Sequence, residues 1–238
     1  MAMPGKKHNL ELLILASDQL EPLLDKLIFV GGATSGLLIT DPAAPDIRFT
    51  VDVDVIVEIQ HYTDYKKLEQ ELMKLGFKPS LQEDAPVCRF EYENLTLDVM
   101  PTDERILGFS NRWYQDAIKS ATSTMLPNGK KLNHVTAPYF VATKLEAFAG
   151  RGNHDFMASH DFEDLIAIVN GRPELVEEIN NAPAPLQKYI AECFRNYLKD
   201  SNMQQALPGV MPEQQADDRR IQIVVKRMQS ISNIESSS

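Results

Sequence analysis

The sequence predicts an α+β fold: a mixed β-sheet with flanking helices up to residue 136, followed by a helical half. Three observations carry that prediction. Residues 51–57, Val51-Asp52-Val53-Asp54-Val55-Ile56-Val57, alternate with period two and are rich in β-branched side chains, which is strand chemistry. Leu27-Ile28-Phe29-Val30 is a short apolar run cut off by Gly31-Gly32, a buried strand running into a tight turn. From Pro138 onward the apolar spacing is helical throughout.

Taken in order, residues 9–26 place Leu10, Leu13, Leu15, Leu20, Leu23 and Leu24 at helical spacing and read as one or two helices interrupted near Pro22. A short helix is expected over 33–39, and the Pro- and Asp-rich residues 41–46 form a loop. Residues 64–75 form an amphipathic helix ended by Gly76. Residues 88–92 and 95–100 make an antiparallel hairpin turning at Glu93-Asn94. A helix near 111–120 precedes a second hairpin, through Pro127-Asn128-Gly129 into a strand at 132–136. Pro138 suits the first position of a helix running to Ala149, with Gly150 past its end. Further helices are expected at 161–169, 173–180 and 185–199, then a connector at 201–216, a last helix at 217–231 and a disordered tail from Ile234. The domain reading is therefore 1–136 as an α/β catalytic domain and 137–238 as a helical domain completing its cleft.

Composition bounds the function. A chain of 238 residues with 43% hydrophobic and 24% charged residues can bury a sizeable core without staples. No apolar run approaches the roughly 18 residues of a membrane span, so no membrane role is expected. Residues 1–7 lack a signal-like apolar core and read as a frayed end. Cys88 and Cys193 stand alone, which suits buried thiols in a reducing, cytoplasmic compartment. A formal charge of −10 argues against a protein that coats nucleic acid through a broad basic face, while leaving room for a local basic cleft.

The chemistry centres on Asp52 and Asp54. Positions i and i+2 of a strand face one side, so both carboxylates project together while Val51, Val53 and Val55 face the other way. Two like charges on an apolar strand call for a cation, and Mg²⁺ (with Mn²⁺ as the alternative) is held by one or two carboxylates plus substrate phosphates. A solvent-facing strand face is the plain alternative. Asp98, a single acid inside another apolar strand, would make a third carboxylate if the strands are adjacent. Three acids permit two-metal catalysis, with Asp98 as metal ligand or as general base for an attacking hydroxyl; an edge-strand charge is the alternative. The turn Gly31-Gly32 lets the backbone approach a phosphate, and Thr34 and Ser35 add hydroxyl donors. Lys144, Phe148 and Arg151 fall at i, i+4 and i+7 on one helix face. Two cations there suit a polyphosphate. The other reading is a salt-bridged stripe, since Asp161 and Asp164, at i and i+3, could pair with them. His154-Asp155 and His160-Asp161 lack metal-hydrolase spacing, and Ser159 or Asp161 reads better as a helix cap. Arg89 and Arg112-Trp113-Tyr114 could grip or stack on a base, although Trp113 and Tyr114 serve equally as core.

The order of these parts resembles the nucleotidyltransferase (DNA polymerase β-like) superfamily. Phe29-Val30-Gly31-Gly32 through residues 52–57 is similar to its AbiEii/AbiGii-type toxin branch. So are Ala142-Thr143-Lys144-Leu145-Glu146-Ala147-Phe148, Arg151 and Ser159-His160-Asp161-Phe162-Glu163-Asp164-Leu165-Ile166. The resemblance covers residues 27–170. It implies transfer of a nucleoside monophosphate from a nucleoside triphosphate to an acceptor with Mg²⁺. That acceptor would be RNA such as a tRNA end, in a toxin-like or phage-defence activity with an antitoxin protein as partner. By position it gives Gly31, Gly32 and Ser35 the phosphate turn, Asp52 and Asp54 the metal, Lys144 the triphosphate and Asp161 the acidic place on the following helix. The long gap from Gly32 to Asp52, filled by the Pro-rich 41–49 loop, departs from the pattern and leaves the acceptor open. A small-molecule nucleotidyltransferase of the antibiotic-modifying kind would share the same carboxylates, and a catalytically degenerate binding partner is the non-enzymatic alternative. A metal nuclease ranks lower, because no E-x-K follows the second acid.

Overall fold

The structure, a computed structural model, describes residues 4–152, 155–211 and 218–234. Two compact units are present. The first comprises residues up to Leu37 and Phe49–Thr136; the second comprises Leu38–Arg48 and the residues from Ala137 onward.

In the first unit, α1 (Gly5–Gln19) is followed by a 3₁₀ turn at Glu21–Lys26, with Pro22 at its start where no backbone N–H is needed. Then come β1 (Ile28–Val30), a 3₁₀ turn at Gly32–Thr34, α2 (Ser35–Leu38), β2 (Asp52–Val57), α3 (Tyr62–Lys74), β3 (Lys78–Pro79), β4 (Arg89–Tyr92) and β5 (Leu95–Pro101). α4 (Glu104–Leu107), α5 (Tyr114–Lys119), β6 (Thr122–Met125) and β7 (Lys131–His134) complete it. The seven strands form one mixed sheet in the order β3-β4-β5-β2-β1-β7-β6. β2 lies centrally, parallel to β5 and antiparallel to β1.

Burial along β2 follows the sequence alternation: Val53 and Val55 are fully buried, whereas Asp52 and Asp54 are half-buried on the opposite face. β5 repeats this, with Leu95, Leu97 and Val99 in the core. These valines and leucines pack with Leu13, Ala16 and Leu20 of the N-terminal segment and Tyr65, Leu68 and Leu72 of α3 into one hydrophobic core. Side chains of this kind stabilise by about 1.5–3 kcal/mol each when fully buried. The acids are thus presented on a rigid sheet whose other face is the core.

In the second unit, α6 (Ala137–Arg151) packs on α7 (His160–Gly171) and α9 (Ala184–Tyr197), and α11 (Asp218–Ser232) packs on α9, α7 and α8 (Leu175–Asn180). Phe148, Phe156, Phe162 and Tyr197 form an aromatic core, with Phe156 and Phe162 edge-to-face at 4.9 Å. Ser159 caps α7 by accepting from the Phe162 N–H. The segment Leu38–Arg48 is tied to α7: the amides of Thr40 and Asp41 both donate to the Gly171 carbonyl at 3.0 Å.

Three short elements differ from the sequence expectation. Residues 201–206 form a helix, α10 (Ser201–Ala206), capped by Asp200, within the expected connector. Its Met203 and Ala206 are buried one turn apart, so packing overrides the polar, Gln-rich composition. α4 is started by Asp103 and stopped by Gly108 at φ 83°, chemistry too short to show as periodicity. β3 is a two-residue edge strand. Of the expected frayed end at 1–7, residues 5–7 are instead the first turn of α1, while residues 1–3, His154 and the remainder of the expected tail, 235–238, lie outside the described residues, as does 212–216 of the expected connector. Among the described residues no helix is long and apolar enough to cross a membrane.

Candidate functional site

Strand register builds a row across the first unit's sheet. Val30 of β1 stands opposite Asp54, Asp54 stands beside Asp98 of the parallel strand β5, and Asp98 stands opposite Arg89 of β4. Residues in register on neighbouring strands share a face, so Asp54, Asp98 and Arg89 project together, with Asp52 two residues along β2 on the same side.

Gly31 closes the row. Its φ of 74° is left-handed, and a Cβ placed on it would lie 1.9 Å from Asp54 Oδ2. Only glycine can turn the chain there while the Asp54 carboxylate fills the space a side chain would take. The turn is pinned from three directions. Thr34 Oγ1 donates to the Gly31 carbonyl at 2.9 Å, Ser35 Oγ donates to the Gly32 carbonyl at 2.7 Å, and Asn9 Nδ2 of α1 donates to the same Gly32 carbonyl at 3.3 Å. Thr34 and Ser35 are themselves buried, and these hydroxyl protons are used within the turn. Asn9 also accepts from the Thr50 amide at 3.0 Å, and Thr50 Oγ1 donates to Asp52 Oδ1 at 2.6 Å. A continuous polar path therefore links the glycine turn to Asp52.

Arg89 supplies the cation. Its Nε donates to Asp98 Oδ1 at 2.8 Å, its Nη2 to Asp98 Oδ2 at 2.7 Å, and the same Nη2 to Asp52 Oδ2 at 3.0 Å. The Asp98 side chain is 9% exposed and that of Asp52 27%. Next to them, burial first, and then the negative charges of Asp98 and Asp54, push the Cys88 thiol up to about 12, so it stays protonated at neutral pH.

The donor chemistry of Asp52 and Asp54 fits Mg²⁺ or Mn²⁺: oxygen-only ligands, two residues apart on one strand face and each half-buried. Asp98, expected as a third ligand, stands in register beside Asp54 and is held by both arms of the Arg89 fork. Among the described residues, no group of three or more His, Cys, Asp or Glu is gathered so as to hold a metal ion.

The second unit brings together the other expected residues. Lys144 Nζ sits between Asp161 Oδ1 at 3.1 Å and Asp164 Oδ2 at 2.7 Å, with a side chain 9% exposed. Arg151, 74% exposed, donates from Nε to Asp161 Oδ2 at 2.8 Å and from Nη2 to Oδ1 at 3.0 Å. Arg48, from the Pro-rich segment, donates from Nε and Nη2 to the two oxygens of Asp164 at 2.9 and 3.0 Å. Burial opposes ionisation of Asp161, but the Arg151 hydrogen bonds and the charges of Lys144 and Arg151 outweigh it and hold the carboxyl at about 2. Burial likewise opposes ionisation of Asp164, and Lys144 with Arg48 holds it below the usual carboxylate range. The salt-bridged stripe is thus the observed state of the Lys144 face.

Asn9, Thr50 and Arg48 belong to these networks without having been singled out by sequence. Arg89 carried a signal: counting outward from the two-residue turn at Glu93-Asn94 sets Tyr92 opposite Leu95 and Arg89 opposite Asp98. Trp113 is buried, as the core reading expects, whereas Tyr114 is half-buried with its hydroxyl 3.1 Å from Met100 Sδ.

No family model matches the chain, and no curated protein matches it. Among solved structures it is similar to an antigenic nucleotidyltransferase-like protein from Paracoccidioides brasiliensis, with a TM-score of 0.53 and 20% identity. That alignment covers 86% of this chain and 95% of the other. JHP933 from Helicobacter pylori aligns at a TM-score of 0.49 and 12% identity, over 94% of this chain and 91% of that one. The fold is of the nucleotidyltransferase-like kind.

Proposed function

We propose that this chain is a divalent-metal-dependent nucleotidyltransferase that moves a nucleoside monophosphate from a nucleoside triphosphate to an acceptor hydroxyl. The observation that carries the reading is the row in which the Gly31 turn is packed against Asp54, with Asp52 on the same face and Asp98 in register beside it. Asp52 and Asp54 would hold Mg²⁺ or Mn²⁺, which when bound neutralises phosphate charge and polarises the phosphorus under attack. The turn at Gly31-Gly32 is buried and packed against Asp54, so its part would be to set the Asp54 carboxylate, with a phosphate reaching that backbone only if the turn opens. Asp98, held by Arg89 in the structure, would take the proton of the attacking hydroxyl once that pair opens. We also propose that the exposed guanidinium of Arg151 binds polyphosphate, with Lys144 acting through Asp161 to position it.

The resemblance of residues 27–170 to the AbiEii/AbiGii-type branch supports an RNA acceptor such as a tRNA end, in a toxin-like activity answered by an antitoxin protein. One observation favours a small-molecule acceptor instead: Arg89, a cation suited to an RNA backbone, is turned onto Asp52 and Asp98 in a chain of net charge −10. The test is to incubate the protein with each α-labelled NTP, Mg²⁺ or Mn²⁺, and either total RNA or a panel of hydroxyl-bearing small molecules. Label on RNA supports the first reading and label on a small molecule the second. No transfer to either class would contradict the enzymatic assignment and favour the degenerate binding partner.

A further inference from the structure

Three carboxylates on one face of two adjacent strands repel one another, and the sheet meets that repulsion in a particular way. Arg89 projects from β4 directly opposite Asp98, and its fork engages both oxygens of Asp98 and one oxygen of Asp52. The other oxygen of Asp52 accepts the Thr50 hydroxyl. The bidentate geometry is the strong form of a carboxylate–guanidinium pair, and here it is half-buried, where solvent screens it less. A divalent ion has to sit about 2.0–2.1 Å from a carboxylate oxygen. At Asp52 Oδ2 that places it against Nη2, a like charge, which donates to the same oxygen at 3.0 Å.

Resting on the metal reading of Asp52 and Asp54 proposed above, we infer that Arg89 is a built-in counter-cation: it competes with the divalent ion for Asp52 and keeps Asp98 out of the ion's coordination shell. Two consequences follow from charge alone. Metal binding to the nucleotide-free chain is weaker than three acids in a row would give. The anionic triphosphate also offers Arg89 an alternative partner, which would return Asp98 to the acceptor side.

The test is Mn²⁺ binding to the full chain, read by the loss of the free-ion electron paramagnetic resonance signal, with circular dichroism as the check on folding. Arg89→Gln, which keeps a polar planar head without charge, is expected to bind Mn²⁺ about tenfold or more tightly than the unmodified chain, as removal of a charge a few ångströms away demands. Arg89→Lys, a point charge that cannot fork across two carboxylates, is expected to fall between them. Folded Arg89→Gln with unchanged or weaker Mn²⁺ affinity would overturn the inference. Should Arg89→Gln fail to fold, Arg89→Lys decides in its place: tighter binding than the unmodified chain supports the inference and unchanged binding overturns it. Asp54→Asn separates this from the reading beneath it. Loss of Mn²⁺ binding in Asp54→Asn alongside an unaffected Arg89→Gln removes only the role of Arg89, whereas undiminished binding in Asp54→Asn removes the metal site and this inference together.

Discussion

Each unit carries an ionic network that gathers two or more aspartates around shared cations, and the two are arranged differently. In the sheet, Asp52 and Asp98 share a single guanidinium on a half-exposed face with Asp54 alongside. In the helical unit, Asp161 and Asp164 receive Lys144 between them and a guanidinium each, from Arg151 and Arg48. The first network sets its acids on one sheet face with the guanidinium beside them. The second has its buried carboxylates surrounded by positive charge, and its function is to hold α6, α7 and the Leu38–Arg48 segment in place while presenting Arg151 to solvent. Aspartate on a strand beside glycine and aspartate inside a helical bundle therefore do different work, and the partners decide which.

The largest expected effect lies in the helical unit. Asp164→Ala leaves Lys144 and Arg48 without a shared carboxylate in a buried setting, and breaking a buried pair in this way costs about 3–5 kcal/mol. Urea unfolding should show that loss; an unmoved midpoint would mean that the network is ornamental and would erase the contrast. Next comes the glycine turn. Gly31→Ala forces a Cβ into the space of Asp54 Oδ2, so nucleotidyl transfer should fall on the order of 10²-fold through misplacement of the acid. Gly150→Ala, which meets nothing within 4 Å, should leave transfer unchanged. Equal effects from the two would break the claim that Gly31 is shaped around Asp54.

A smaller effect concerns acid. Asp161 is held at about 2 against an ordinary 3.8, so its folded form is the more acidic and its ionisation stabilises the fold. That contribution, about 2 kcal/mol, is present above pH 4 and is lost as the pH falls through the folded value. Thermal unfolding between pH 5 and pH 2 should therefore show a steep acid limb, flattened in Asp161→Asn. The smallest is Arg151→Ala. An ion pair with an exposed arm is worth about 0.2–1 kcal/mol in stability, so the variant should unfold nearly normally while raising KM for the nucleotide. A normal KM would assign Arg151 to the structural side of the comparison.

Much of the sheet network was legible in the sequence, because alternation along residues 51–57 fixes which side chains share a face and because Asp98 is the lone acid in an apolar strand. The place of Arg89 was within reach too, because counting outward from the expected turn at Glu93-Asn94 sets it opposite Asp98, although the sequence reading gave it a base-gripping role instead. The hydroxyls of Thr34 and Ser35 read as phosphate donors; in the structure they close the turn on its own carbonyls, a local competition that spacing does not reveal. On α6 the sequence pointed Lys144 at a triphosphate and left Arg151 between that and a salt-bridged stripe; the ion pairs of Lys144 with Asp161 and Asp164 join two helices and are not read from spacing along one. Arg48 lay beyond reach altogether, being 116 residues from its partner.

On the proposed function, the acid row on the sheet would hold the metal and the triphosphate while the nucleotide is transferred. The most direct measurement is label transfer from α-labelled NTP by Asp54→Asn beside the unmodified chain, with thermal unfolding of both. Transfer by the unmodified chain and its loss in Asp54→Asn are expected, with an unfolding temperature for the metal-free variant that is equal or slightly higher, because a like charge has been removed from the row. Transfer by Asp54→Asn at the rate of the unmodified chain would contradict that function.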